Sequence, residues 1–424
     1  VLAGEYVVLL SDPVLCRQVI IENSSSFVKE GTAFFPGSAL AGNGLLVSDG
    51  DVWRRQRRLS NHAFRRSAIM EYAQYMTEGT AEWLTATWGV GGTRDVYPDY
   101  NQLTLDIVLQ TLFGASMSRD QGTQVADAIR TAFKFFTERS GTGFAIPEWV
   151  PTPTNVQYTA AVKELDSVIY ALIADRRRAE AAAPLEGPPK DLLQALMTAE
   201  DVDGGKMTDQ ALRDELMTFL IAGQETSAIL LAWATAYLAS KPWVQQQAYQ
   251  EVQRVLEGRQ PQGDDVEKLL YLMGVICESM RLRPPAFMVG RCANETVSLG
   301  GHTLAKGTTI LVAPYLMHRN PKYWTDPLRF YPQRWLPYLK EGSAMALMSG
   351  LGPNGAYMPF GGGPRNCIGT GFALTEVTLV LAQILQRYSL QIPAFGRQFP
   401  KDGPLITLRP EEVNIKVQRR MDMG

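Results

Sequence analysis

Apolar and polar positions alternate from Glu5 to Leu10, the period of a β-strand, and Ser11-Asp12-Pro13 closes that segment. The period then lengthens. Apolar residues recur at helical spacing around Trp53 to Phe64, Leu103 to Phe113, Gln124 to Phe136 and Val162 to Glu180, which predicts a helix array for the first half. Two stretches interrupt it: Gly141 to Thr154, with Pro147, Pro151 and Pro153 among aromatics, and Pro184 to Pro189. Both predict connections, either ordinary surface loops or loops over a ligand pocket.

Thr208 with Asp209 forms a helix start, and helix formers follow without proline until Lys241-Pro242. Further helices are predicted over Trp243 to Leu256 and Val266 to Leu282, then short strands within Thr296 to Val312. Pro327 to Gly363 is rich in proline, glycine and aromatics without a period, and so long an irregular segment in a compact protein is usually functional. A last helix, Gly371 to Tyr388, precedes alternation from Ile406 to Val417. No linker, repeat or compositional shift divides the chain into independent domains, although 424 residues would allow two or three.

The 46% hydrophobic and 20% charged content is that of a soluble or peripheral globular protein. With 41 basic and 43 acidic residues the net charge is −2, so the basic footprint of a nucleic-acid binder is missing. No uninterrupted apolar stretch reaches the roughly 18 residues of a membrane span; Ile229 to Ala239 comes nearest. The chain starts at Val1 close to a strand, and an anchor or transit peptide is expected to have been removed from it. Cys16, Cys277, Cys292 and Cys367 are scattered without a Cys-x-x-Cys pair, which excludes an encoded disulfide framework or structural zinc site.

Cys367 differs from the others. It follows a glycine-rich loop, Phe360-Gly361-Gly362-Gly363-Pro364-Arg365-Asn366, and immediately precedes a helix. Backbone N–H groups and the helix dipole at that position favour a thiolate, as a metal ligand or nucleophile needs; a buried structural thiol is the alternative. The whole segment resembles the Phe-x-x-Gly-x-Arg-x-Cys-x-Gly haem-binding signature of the cytochrome P-450 monooxygenases. That resemblance implies that Cys367 ligates the iron of haem b, that Phe360 and the glycines lie close beneath the porphyrin, and that Arg365 pairs with a propionate.

Other motifs follow in the family's order. Glu278-Ser279-Met280-Arg281 resembles its Glu-x-x-Arg, with both side chains on one helix face, and Phe330-Tyr331-Pro332-Gln333-Arg334-Trp335 its aromatic-x-Pro-x-Arg-aromatic motif. The implied Glu278, Arg281 and Arg334 triad is structural. Trp53-Arg54-Arg55-Gln56-Arg57 matches Trp-x-x-x-Arg, which would set Trp53 and Arg57 on a propionate, with Arg291 as a further propionate donor; a solvated helix face is the plain alternative. In Ala222-Gly223-Gln224-Glu225-Thr226-Ser227, polarity interrupts an apolar helix, and a kink or helix-bound water would satisfy it. By resemblance Ala222 and Gly223 leave room for oxygen, while Glu225 and Thr226 organise proton delivery.

The resemblance spans Glu5 to Val417 and implies a mainly α, single-domain cytochrome P-450 fold with small β-sheets over residues 1–424. It implies a monooxygenase that puts one oxygen atom of O2 into a C–H bond of a lipophilic substrate. Electrons must come from a redox partner, a ferredoxin system or an NADPH reductase, because no flavin, nicotinamide or iron–sulfur fingerprint is present. His62, His302 and His318 are read as surface or structural residues. The strings Asn43 to Gly50, Ile146 to Trp149, Leu212 to Met217 and Gly361 to Gly371 are most similar to the plastid carotenoid-hydroxylating group of plants and algae, although Arg283-Pro284-Pro285 departs from the usual Leu-Tyr-Pro. This implies a carotenoid ring as substrate and a membrane-associated chloroplast setting, with a fatty acyl chain and the endoplasmic reticulum membrane as alternatives. Phe34, Phe35, Phe287 and Met288 are the candidate pocket residues, against ordinary core packing. A P-450-like isomerase or dehydratase that does not use O2, and a non-catalytic haem sensor, are the competing classes; Glu225-Thr226 speaks against both.

Overall fold

Asp12 ends the first strand and starts the next helix at one stroke: its carboxylate accepts from the N–H groups of Val14 (2.9 Å) and Leu15 (3.2 Å), with Pro13 in the first turn. The computed structural model describes residues 6–30, 39–114, 118–142, 146–182, 189–348, 352, 355–394, 399–404 and 406–420. The chain forms two compact units.

The larger unit comprises Val1–Val28, Ala73–Thr104 and Glu225–Gly424. Its four-stranded sheet sets Val7–Leu10 parallel to Thr309–Val312, followed by antiparallel Val289–Ala293 and Phe27–Val28. A three-stranded antiparallel sheet places Asn414–Arg419 between Gly91–Asp95 and Tyr388–Gln391. Helices Leu270–Leu282 and Thr370–Arg387 are apolar almost all round and buried accordingly, so they form the centre of this core. Gly91–Asp95, Tyr388–Gln391 and Val289–Ala293 were not legible as strands, because pairing with distant partners rather than local propensity makes them extended.

The second unit comprises Lys29–Tyr72 and Leu105–Gln224. Helices Arg119–Thr142 and Pro153–Ala182 pack on each other, with Phe135 stacked on Tyr158 at 4.0 Å. Arg213, 3% exposed, donates to Asp166 (2.6 Å), Asp214 (3.0 Å) and the carbonyls of Ala39 and Leu40, which ties the segment after residue 38 to its helix.

Most predicted helices are present with shifted ends. Pro153 opens a helix instead of extending the loop before it, since a proline at the first helical position loses no hydrogen bond. The helix expected from Val266 begins at Leu270, because Gln262 and Asp265 close a capping box around a 3₁₀ turn first. Residues 183–188, most of the second predicted break, lie outside the described residues. The long helix runs Asp209–Ser240, started by Thr208, whose hydroxyl accepts from the Ala211 N–H at 3.2 Å. It is long and apolar enough to cross a membrane by length and composition, but 72% of its most apolar window is buried inside the protein, as befits a core helix.

Candidate functional site

In the larger unit, short hydrogen bonds build the loop before the C-terminal helix: Gly361 N–H to Met358 carbonyl (3.1 Å), Asn366 N–H to Gly363 (3.1 Å) and Cys367 N–H to Phe360 (2.9 Å). Gly361 and Gly363 have φ of +71° and +65°, where a side chain would be strained. Their surroundings differ. A Cβ on Gly363 would lie 2.2 Å from the Ile20 carbonyl oxygen, whereas one on Gly361 would meet nothing within 4 Å. The loop is therefore packed against Ile20 and open at Gly361. Cys367 is exposed, with Phe360 and Arg365 half-buried and the helix Thr370–Arg387 starting three residues on. The other three cysteines are buried, and burial pushes the Cys16 thiol up to about 12 and that of Cys277 well up. Cys367 is the sulfur suited to a metal.

Midway along the long helix, Ala222 is exposed and Gly223, Glu225 and Thr226 are half-buried, although the following turns are wholly buried. The α-helix assignment runs through this stretch, and side chains on other elements meet the polarity of Glu225 and Ser227. Burial raises the Glu225 carboxyl, opposed by the charge of Arg409 and a hydrogen bond with Thr407. Ser227 donates to Glu376 on the C-terminal helix at 2.5 Å. Thr407, Arg409 and Glu376 had no local sequence signal that marked them.

Arg291 is buried within the strand Val289–Ala293 and donates to the Gly290 carbonyl at 2.7 Å. Phe287 and Met288, just before it, are half-buried rather than core. Phe34 and Phe35 lie outside the described residues. The departure at Arg283 has a local reason: its guanidinium sits 4.4 Å from the Trp233 ring and pairs with Asp402 at 2.6 Å. In the second unit the arginine run divides by face. Trp53 and Arg57 are half-buried one turn apart, whereas exposed Arg54 and Arg58 pair with Asp51 and Asp201, each at 2.6 Å.

The predicted triad is present with one partner changed in kind. Glu278 and Arg281 are fully buried and bond in a fork, Nε to Oε2 at 2.8 Å and Nη2 to Oε1 at 2.9 Å. Arg281 also donates to the carbonyls of His318, Pro327 and Arg329, so one guanidinium holds three points of the irregular segment. Arg334 stands 3.5 Å from Glu278 as an ion pair, without a hydrogen bond from its Nε. The places a third donor would fill belong to the Trp335 indole (2.9 Å) and the Tyr331 N–H (2.9 Å). His318 is structural: burial holds its imidazole down near 3, and its neutral Nε2 accepts from Met358 N–H at 3.0 Å. His62 and His302 are exposed.

These residues fit haem b: an exposed sulfur on an open glycine loop suits the iron, and Arg291 and Arg365 supply donors of the kind carboxylates need. Comparisons with known proteins agree. The cytochrome P-450 family model matches residues 1–417. The chain is 34% identical over 385 residues to cyclooctat-9-en-7-ol 5-monooxygenase of Streptomyces melanosporofaciens, covering 90% of this chain and 80% of that one. It is 28% identical over 425 residues to leukotriene-B4 omega-hydroxylase 3 of Mus musculus, covering 96% and 79%. The solved haem domain of cytochrome P450DA superposes with a TM-score of 0.83 at 28% identity, covering 98% of this chain and 88% of that one. The mainly helical, single-domain fold with small sheets is thus the expected one. Members of this family bind haem b through a cysteine thiolate and draw on a redox partner, O2 and lipophilic substrates. The chain belongs to the cytochrome P-450 family and is a monooxygenase.

Proposed function

We propose that the chain hydroxylates a cyclic isoprenoid, with a carotenoid ring as the specific candidate, and that Cys367 is its haem ligand. The observation that carries the ligand assignment is the exposure of Cys367 on a loop open at Gly361, beside three buried cysteines. When bound, haem supplies the redox-active iron at which O2 is reduced. Arg365 and Arg291 offer charged donors to its propionates, and Phe360 stands half-buried at the start of the sulfur loop. Trp53 and Arg57, in the second unit, join this proposal on their motif alone. Ala222 is exposed on the helix, and Glu225, whose carboxyl burial raises, would pass protons together with Thr226, the residue after it on the same turn. Glu278, Arg281 and Arg334 keep the irregular segment folded.

Half-buried Phe287 and Met288 present apolar surface suited to a hydrocarbon. The Streptomyces relative carries the name of a cyclic alkenol, which favours a ring; the mouse relative, named for leukotriene B4, favours a fatty acyl chain as the second reading. The carotenoid reading brings with it a chloroplast membrane setting and a ferredoxin donor, and the fatty-acyl reading an NADPH reductase. Reconstituted turnover with β-carotene and a fatty acid in competition, in separate arms with each donor type, tests this. Oxygen-dependent hydroxylation of β-carotene is expected. Exclusive oxidation of the fatty acid would replace the first reading by the second, and oxidation of neither would overturn both.

A further inference from the structure

Glu376 and Ser227 are a polar pair in an apolar surrounding. Both are buried, 149 residues apart in sequence on two different helices, and their neighbours along the chain, Leu374, Val377, Ala228 and Ile229, belong to the core. Ser227 donates to Oε2 at 2.5 Å, and Oε1 meets no hydrogen-bond partner among the described residues. An ionised carboxylate with a bare oxygen there would cost far more than a neutral acid. Burial raises this carboxyl to about 8, with the Ser227 hydrogen bond the opposing influence. Packing gives no reason for the pair, since apolar residues of similar size would fill the space more cheaply.

Its position gives one. Successive residues of a helix point roughly 100° apart, so Glu225 and Ser227 point roughly 200° apart with Thr226 between them. Glu225 is held by Thr407 and Ser227 by Glu376, two attachments on nearly opposite sides of one helical turn. Together they fix the rotation of that turn about its axis, and hence the direction of the Thr226 hydroxyl. The Glu376 end of the clamp is on the helix that begins directly after the Cys367 loop.

We propose that Glu376 is a positioning residue for oxygen activation: as a neutral carboxyl bonded to Ser227, it fixes the helical turn that carries Glu225 and Thr226. The inference rests on the monooxygenase reading of that turn. Its test compares Glu376→Leu, Glu376→Gln and Ser227→Ala for the share of consumed O2 released as hydrogen peroxide, and records the infrared carbonyl band of a protonated carboxyl in protein without and with haem. Glu376→Leu and Ser227→Ala should raise the peroxide share about tenfold, the factor matching loss of one ordinary hydrogen bond, while Glu376→Gln stays within about twofold. A component of the band should be present in the wild type and missing in Glu376→Gln, the remainder belonging to Glu215, which burial also raises. Unchanged coupling in Ser227→Ala would overturn the proposal even if Glu376→Leu fails to fold. Uncoupling by Glu376→Gln equal to that by Glu376→Leu, or a band that Glu376→Gln leaves unchanged, would overturn the neutral clamp. No oxygen-dependent product from the wild type would instead overturn the parent reading, with the band still reporting the protonation of Glu376.

Discussion

The Cys367 N–H donates to the Phe360 carbonyl at 2.9 Å, which closes the signature loop on itself before the C-terminal helix begins. This bond fixes where the sulfur emerges. It also makes the loop's glycines separable in their effects, because one faces packed backbone and the other open space.

Gly363→Ala should destabilise the protein whether or not haem is bound, since a Cβ 2.2 Å from the Ile20 carbonyl oxygen meets backbone that cannot move aside. Gly361→Ala should cost the haem-free protein only the left-handed backbone penalty, about 1–2 kcal/mol, yet lower haem retention sharply. Thermal melts of haem-free protein and haem transfer to a scavenger check the two separately.

Removing either member of the Glu278–Arg281 pair takes from a buried charge its forked partner. Glu278→Ala and Arg281→Ala should each lose about 3–5 kcal/mol of stability. Arg334→Ala should lose about 1 kcal/mol or less, because its Nε makes no hydrogen bond to Glu278. Trp335→Phe, which removes a 2.9 Å bond to a carboxylate, should fall between them at about 1.5–3 kcal/mol. Urea unfolding of the four variants gives the order.

Stability should decline on both sides of an intermediate pH. Burial raises the Glu215 and Glu376 carboxyls to about 8, so between the ordinary carboxylate range and that value the folded protein holds protons that the unfolded chain releases. Stability therefore falls as pH rises through this window. His318, held down near 3, binds its proton only when unfolded between its ordinary value of 6.5 and that point, so stability also falls as pH drops through that range. Glu376→Gln should reduce the alkaline slope to the share of Glu215 without changing that of His318, as read by unfolding at a series of pH values.

Arg409 lowers the carboxyl of Glu225 against the effect of burial. Arg409→Gln should raise it further, moving the corresponding limb of the pH profile for product formation to higher pH while leaving the spectrum of the resting enzyme unchanged. An unmoved limb would separate Arg409 from proton delivery.

The site was legible where its logic is local. Phe360 to Gly369, Glu278 with Arg281, and Ala222 to Ser227 each occupy less than one loop or three helical turns, and their residue types fit their jobs without knowledge of the fold. Glu376, Thr407 and Arg409 were illegible for the opposite reason. They matter through contacts with Glu225 and Ser227, about 150 to 180 residues away in the chain, which no spacing rule reaches. The same holds for the fold: helices were placed by their period, whereas Gly91–Asp95, with two glycines, is a strand only because Asn414–Arg419 pairs with it. Trp335 was read as the aromatic end of a motif, and only the structure shows its indole as a donor to Glu278.

The central claim is that the sulfur of Cys367 ligates the haem iron. The carbon-monoxide difference spectrum of the reduced protein tests it, with Cys367→Ser beside the wild type. The wild type should give the thiolate-ligated band of the family, and Cys367→Ser should lose it while Cys16→Ser, Cys277→Ser and Cys292→Ser keep it. A thiolate band that survives in Cys367→Ser, or one that never forms in a haem-loaded wild type, would contradict the assignment.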